Sequence, residues 1–270
     1  VDAAGEAART VPGEITVFGS PEQSISYVNV QATQLNNLTA VNASSGPDTA
    51  DRDAALAGLT GNARYVQALY LDELGRAGDT TNSRDAGYWV AALNSGALSR
   101  TDVARGIASS FEAEDRLVKT WYRTYLGRPA QGGEEQYWVS QLAQGQTQEQ
   151  VLSGLLGSDE FFDRTQALVG AGAAEERYVQ GLYQQLLNRS GSAAEVAYWV
   201  NRLPQLGRLG VAQGFLVATE FRAAQFEGHY NALLHRPGEP GGLDYWVFSD
   251  LDLSAVRLGF EASAEFFANG

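Results

Sequence analysis

The chain has 270 residues, 44% hydrophobic and 19% charged, which is enough for a packed core and too apolar for disorder. Its net charge of −13 repels phosphate backbones and anionic lipid, which sets nucleic-acid and membrane-surface roles aside. With no cysteine, disulfides, thiolate catalysis and cysteine-ligated metals are excluded, and no apolar run is long enough to span a bilayer.

Residues 1–58 carry no repeated pattern. Glu14–Phe18 and Ser24–Val30 are rich in β-branched and aromatic residues around Gly19-Ser20-Pro21, which predicts a short hairpin or extended arm. Asn36 to Asp51, rich in Asn, Ser, Thr and Gly, predicts a loop. The chain begins at Val1, contains no methionine and lacks a signal-peptide pattern, so it reads as a processed or excised product.

From Asn62 onward one pattern is written four times. Tyr70, Tyr122, Tyr183 and Tyr230 each stand six residues before Arg76, Arg128, Arg189 and Arg236. Then come Tyr88-Trp89, Tyr137-Trp138, Tyr198-Trp199 and Tyr245-Trp246, followed by Val103/Gly106, Val151/Gly154, Val211/Gly214 and Val256/Gly259. Six residues past each glycine stands a glutamate: Glu112, Glu160, Glu220 or Glu265. Fixed spacing inside a block with variable spacing between blocks marks a repeated structural unit.

Val66, Leu69, Tyr70 and Leu74 form one stripe of a helix that stops at Gly75-Arg76. A short second helix is expected to carry Tyr-Trp. A third is expected to run through Val-x-x-Gly to the Glu, with Phe161, Phe221 and Phe266 next and Ala113 in their place in unit one. Glu112 to Tyr122 and Glu220 to Tyr230 are short enough for one helix to pass between units, whereas Gly170–Ala174 interrupts units two and three. The expected architecture is all-α: a tandem array of four three-helix units in two pairs, with a short β-prone N-terminal arm. The divisions are an arm at 1–58, pair one at 59–164, a connector at 165–176 and pair two at 177–270.

The repeated side chains read first as structure. Trp89, Trp138, Trp199 and Trp246 are expected core pins. Each repeated arginine ends the first helix, where a cation is favoured, and is expected to pair with the glutamate ending the third helix. Trp121 stands outside the repeated frame and is the candidate aromatic platform for a sugar ring or a partner's side chain. Asp79 and Glu239 are candidate calcium ligands, since that ion takes hard oxygens, although no D-x-[DN]-x-[DN]-G loop is present. Glu239 has no acid aligned with it in units two and three, which favours a turn or cap there. His229 and His235 fall on different faces of one helix and make a poor metal pair. Gly-x-Ser-x-Gly, Gly-x-x-x-x-Gly-Lys, H-E-x-x-H and dinucleotide fingerprints are all missing, so no catalytic residue and no cofactor besides calcium is assigned.

The pattern Tyr-x3-Leu-x-Arg, turn, Tyr-Trp, Val-x-x-Gly and Ser/Thr-x-Glu-Phe resembles the bacterial domain-of-unknown-function family 4214, in four tandem copies over residues 62–270. It is strongest at Leu233–Pro237 through Gly242–Trp246 and at Asn94–Ser99. The chain departs from the family's Gly-Arg at Asn188-Arg189 and His235-Arg236, and the turn Asp occurs only as Asp79. The resemblance implies a helical module of secreted, S-layer-associated or calcium-binding surface proteins, without established catalytic residues. The family is also similar to helical linker domains of cyanobacterial antennae, which are basic, so −13 argues against that role. The expected function is a non-enzymatic scaffold or binding module at the bacterial cell surface or outside the cell. It would engage an envelope protein or polysaccharide, with self-assembly allowed. The alternatives are a glycan-cleaving enzyme using a carboxylate pair, with Trp121 as sugar platform, and a calcium-dependent surface-assembly module.

Overall fold

The computed structural model describes residues 49–269, and every regular element among them is helical. The expected hairpin or arm before residue 49 lies outside the described residues. The loop expected to reach Asp51 instead gives way to α1 (Thr49–Leu56), which docks through buried Leu56 and the ion pair of Arg52 with Asp72 at 2.5 Å. Unit one comprises α2 (Gly61–Leu69), which continues through a π-helical turn (Tyr70–Leu74), then α3 (Ala86–Asn94) and α4 (Arg100–Ala108). Next comes α5 (Phe111–Trp121) with its own π-helical turn (Tyr122–Leu126), then α6 (Glu135–Ala143), α7 (Gln148–Leu156) and α8 (Asp159–Leu168). The second half repeats the order in α9 (Ala174–Leu187), α10 (Ala193–Leu216), α11 (Thr219–Leu234), α12 (Pro240–Val247), α13 (Leu253–Glu261) and α14 (Ala264–Asn269). Helix α10 is two helices run together, bent where Gly207 takes φ 66° and ψ 175°.

One expectation needs correction at every unit. The helix of Val-x-x-Gly does not run on to the glutamate; it breaks, and the glutamate opens the following helix. Ser110, Ser158 and Ser263 accept the backbone N–H of Ala113, Phe161 and Phe266 at 3.2, 3.2 and 3.0 Å. A serine there competes for backbone donors and starts a new helix. Ser/Thr-x-Glu is therefore a helix start, and its carboxylate lies at the positive end of the helix dipole.

The tyrosine-to-arginine spacing of six has a backbone cause. The residue before each arginine is left-handed: Gly75, Gly127, Asn188 and His235 have φ of 68°, 70°, 49° and 56°. That reversal turns the N–H groups of Arg128, Arg189 and Arg236 back onto the carbonyls of Tyr122, Tyr183 and Tyr230 at 3.3–3.4 Å. His235 thus ends its helix as a left-handed cap, while His229 sits within α11.

The tryptophans explain the repeated glycines. A Cβ placed on Gly106, Gly154, Gly214 or Gly259 would lie 2.5–2.7 Å from the ring of Trp89, Trp138, Trp199 or Trp246. The outer edge of each indole's six-membered ring comes so close to the helix that only glycine leaves room for it. Trp199 is fully buried and the other three are partly buried against the core.

Units one and two share α5, and units three and four share α11. At the interruption between α8 and α9, Tyr178 packs on Phe161 and Phe162 and its hydroxyl donates to the Arg208 carbonyl at 2.9 Å. The same arrangement recurs between the chain's two described ends. Tyr65 of α2 packs on Phe266 and Phe267 of α14 and donates to the Arg100 carbonyl at 3.0 Å. Arg208 stacks on Phe162 and Arg100 on Phe267, both 4.8 Å from the ring centre. Unit four therefore closes onto unit one, and the array is a ring of two similar halves around one continuous core.

Candidate functional site

Two constructions hold the charged and aromatic residues: a clamp repeated in each unit and a central cavity. In the clamp, the guanidinium of Arg76 meets both carboxylate oxygens of Glu112 at 2.5 and 2.9 Å. Arg189 meets Glu220 at 2.6 and 2.7 Å, Arg236 meets Glu265 at 2.5 and 2.9 Å, and Arg128 meets Glu160 in the same two-pronged way. Each guanidinium also lies 4.8–5.2 Å from the ring centre of the tyrosine six residues earlier.

A second carboxylate, absent from the sequence-based reading, completes every clamp. Asp85, Glu134, Glu195 and Glu239 take the remaining N–H groups of Arg76, Arg128, Arg189 and Arg236. Glu239 therefore does have counterparts in units two and three. The signal was an acid three residues before Tyr88, Tyr137 and Tyr198; in unit four Gly242 stands at that position and the acid, Glu239, lies six residues before Tyr245. The arginines hold Glu112, Glu134, Glu239 and Glu265 below the ordinary carboxylate range through these hydrogen bonds. Two carboxylates, a ring and a carbonyl fill the arginine's coordination, so nothing remains for an external anion.

Asp79 is occupied by its own turn, where its Oδ1 accepts the Thr81 N–H at 2.9 Å and the Thr81 hydroxyl at 2.7 Å. Among the described residues no group of three or more acids and histidines is arranged to hold a metal ion. Trp121 is a buried residue, 7% exposed, rather than an open platform, and it forms part of the wall of the cavity.

That cavity, about 470 Å³, lies at the centre of the ring between α5 on one side and α11 and α13 on the other. At its floor Arg257 of α13 bonds Glu73 of unit one and lies 2.9 Å from Glu261, a residue with no exposed surface. Burial and the neighbouring Glu73 push the Glu261 carboxyl well above its ordinary range, so it holds its proton. Burial alone would raise Glu73, but the charge of Arg257 beside it overcomes this and holds its carboxyl below the ordinary range. His229, packed between Phe226 and Phe260, is pushed down to about 3 by burial and then by Arg257, so its ring is neutral. Arg116 donates to the carbonyls of Asp72 and Glu73 at 3.0 and 3.1 Å. This cluster joins residues far apart in the chain, and no local spacing announced it.

The family described as Domain of unknown function (DUF4214) matches three tandem stretches, residues 53–117, 113–165 and 163–226. Each stretch holds one clamp, and the first overlap falls within α5, the helix the two units share. No curated protein and no solved structure matches the chain.

Proposed function

We propose that this chain, which belongs to that family, is a non-enzymatic binding module of the bacterial cell surface or extracellular space. In this reading residues 219–269 are a fourth copy of the unit, and the ligand is an envelope polysaccharide. The observation that carries it is the split fate of the Tyr-Trp pairs. The tryptophans face inward, while Tyr88, Tyr137 and Tyr245 are 52%, 62% and 66% exposed. Each of these rings stands edge-on to its own tryptophan, with centroids 4.9–5.0 Å apart. Such rings are oriented before a ligand arrives, which lowers the entropic cost of stacking. In unit three Tyr198 is instead covered by Arg202, 4.5 Å from the ring centre.

Equivalent aromatic faces at equivalent positions suit a ligand that itself repeats, because weak contacts then add through avidity. A net charge of −13 favours a neutral or amine-bearing polymer over an anionic one. Catalysis is not part of this reading. Glu73 and Glu261 face one nitrogen of Arg257, whose guanidinium occupies the room a scissile bond would need. Calcium-dependent assembly loses support because Asp79 and Glu239 already have internal partners.

Native gel electrophoresis through a matrix of purified envelope polysaccharide tests the proposal. The wild type is expected to be retarded, and the combined Tyr88→Ala, Tyr137→Ala and Tyr245→Ala variant is expected to run free while melting normally. Equal retardation of both would refute it. A tyrosine-dependent protein partner recovered by crosslinking would turn the reading toward a protein ligand.

A further inference from the structure

Every charged side chain lining the central cavity is accounted for except one. Asp72 is paired with Arg52, and Glu73 and Glu261 share Arg257. Arg116 donates to the carbonyls of Asp72 and Glu73, Arg105 lies 3.5 Å from Asp102, and Asp252 accepts the Ala255 N–H at 2.8 Å. Glu114 alone has no hydrogen-bonding or ionic partner among the described residues, although it is partly buried in the cavity wall. Partial burial pushes its carboxyl above the ordinary range.

Glu114, Leu117 and Trp121 follow at helical spacing along α5 and line the cavity together, so an anionic group and an aromatic ring share one wall. Gln225 of α11 also lines the cavity. We propose that this cavity binds a small organic amine, with its ammonium group seated on Glu114 and its carbon chain along Leu117 and Trp121. The volume of about 470 Å³ is in the range of small-ligand sites, and the net charge of −13 draws cations toward it. This site is independent of the outer tyrosines and does not rest on polysaccharide binding.

Isothermal titration calorimetry with 1,4-diaminobutane and its neutral counterpart 1,4-butanediol, in physiological salt, tests the site. The diamine is expected to bind one per chain and the diol to give no heat. Glu114→Gln should weaken the diamine at least about tenfold, equivalent to roughly 1.4 kcal/mol. Asp163→Asn, an equal loss of charge on the exposed face of α8, should leave binding within about twofold, as expected for screened long-range charge. Gln225→Trp, which puts a bulky ring into the cavity from α11 and leaves Glu114 in place, should abolish binding. The proposal is overturned if the diamine does not bind or if the diol binds equally. It is also overturned if Asp163→Asn matches Glu114→Gln, or if Gln225→Trp binds like the wild type.

Discussion

Arg257 and Glu73, 184 residues apart in sequence, meet in an ion pair where the fourth unit closes on the first. Glu261 shares the same guanidinium, so one cation serves two carboxyl groups in a buried setting. Two ionised carboxylates on one arginine would leave a net charge inside the protein, and the proton held by Glu261 removes it.

Removing the cation should therefore cost far more than removing the extra acid. Arg257→Leu leaves the ionised, largely buried carboxylate of Glu73 without its ion-pair partner and is expected to destabilise the fold by about 3–5 kcal/mol. Glu261→Gln keeps the shape and the neutral state and should cost under about 1 kcal/mol. Urea unfolding of the two variants decides the matter. Equal losses would show that Glu261 is ionised in the folded protein.

The same cluster shapes the pH dependence from both sides. Folded Glu261 holds a proton that an unfolded glutamate sheds above its ordinary value of 4.5, so its contribution is complete below that value and fades as pH rises through the raised one. Folded His229 resists a proton that the unfolded chain takes up below 6.5, so its contribution is complete above 6.5 and fades as pH falls toward about 3. Unfolding free energy measured across pH should flatten on the alkaline side in Glu261→Gln and on the acid side in His229→Leu. Unchanged slopes in either variant would contradict the assigned protonation state.

The clamps differ in exposure, and their energies should follow. The Arg189 and Glu220 side chains are 25% and 13% exposed, against 43% and 47% for Arg76 and Glu112. Arg189→Ala is expected to cost about 2–3 kcal/mol, because Glu195 and Glu220 both lose their partner. Arg76→Ala should cost less, since solvent screens that pair. The double variant of Arg189 and Glu220 should cost less than the sum of the singles. Additive losses would mean that the two side chains touch without stabilising each other.

Glycines separate packing from propensity. Gly154→Ala would drive a methyl group to 2.7 Å from the Trp138 ring and should cost about 1–3 kcal/mol. Gly228→Ala, within α11 and with no neighbour inside 4 Å, should instead stabilise by about 0.5–1 kcal/mol. Opposite shifts in melting temperature are the expected result, and a shared direction would refute the packing argument.

Helical class was legible in the sequence because it rests on contacts within a turn or two: apolar stripes, helix stops and repeated spacings. The six-residue step from tyrosine to arginine was legible for the same reason, being one folded-back helix end. Even the departures at Asn188 and His235 have a local cause, as both accept the left-handed conformation that Gly75 and Gly127 adopt elsewhere. At the latter two a Cβ would also displace the guanidinium ends of Arg116 and Arg164.

What the sequence left open depends on how helices cross. A periodic stripe fixes which face is buried, but a one-turn change in docking moves a side chain by several ångströms, beyond the reach of a hydrogen bond. The second carboxylate of each clamp, the closure of Arg257 on Glu73 and the burial of Trp121 beside a central cavity are of this kind. Sequence determined the repeated unit and the residues that hold it. Only tertiary packing decided that the four units close into a ring, because closure is made by contacts between the chain's two described ends that no local pattern encodes.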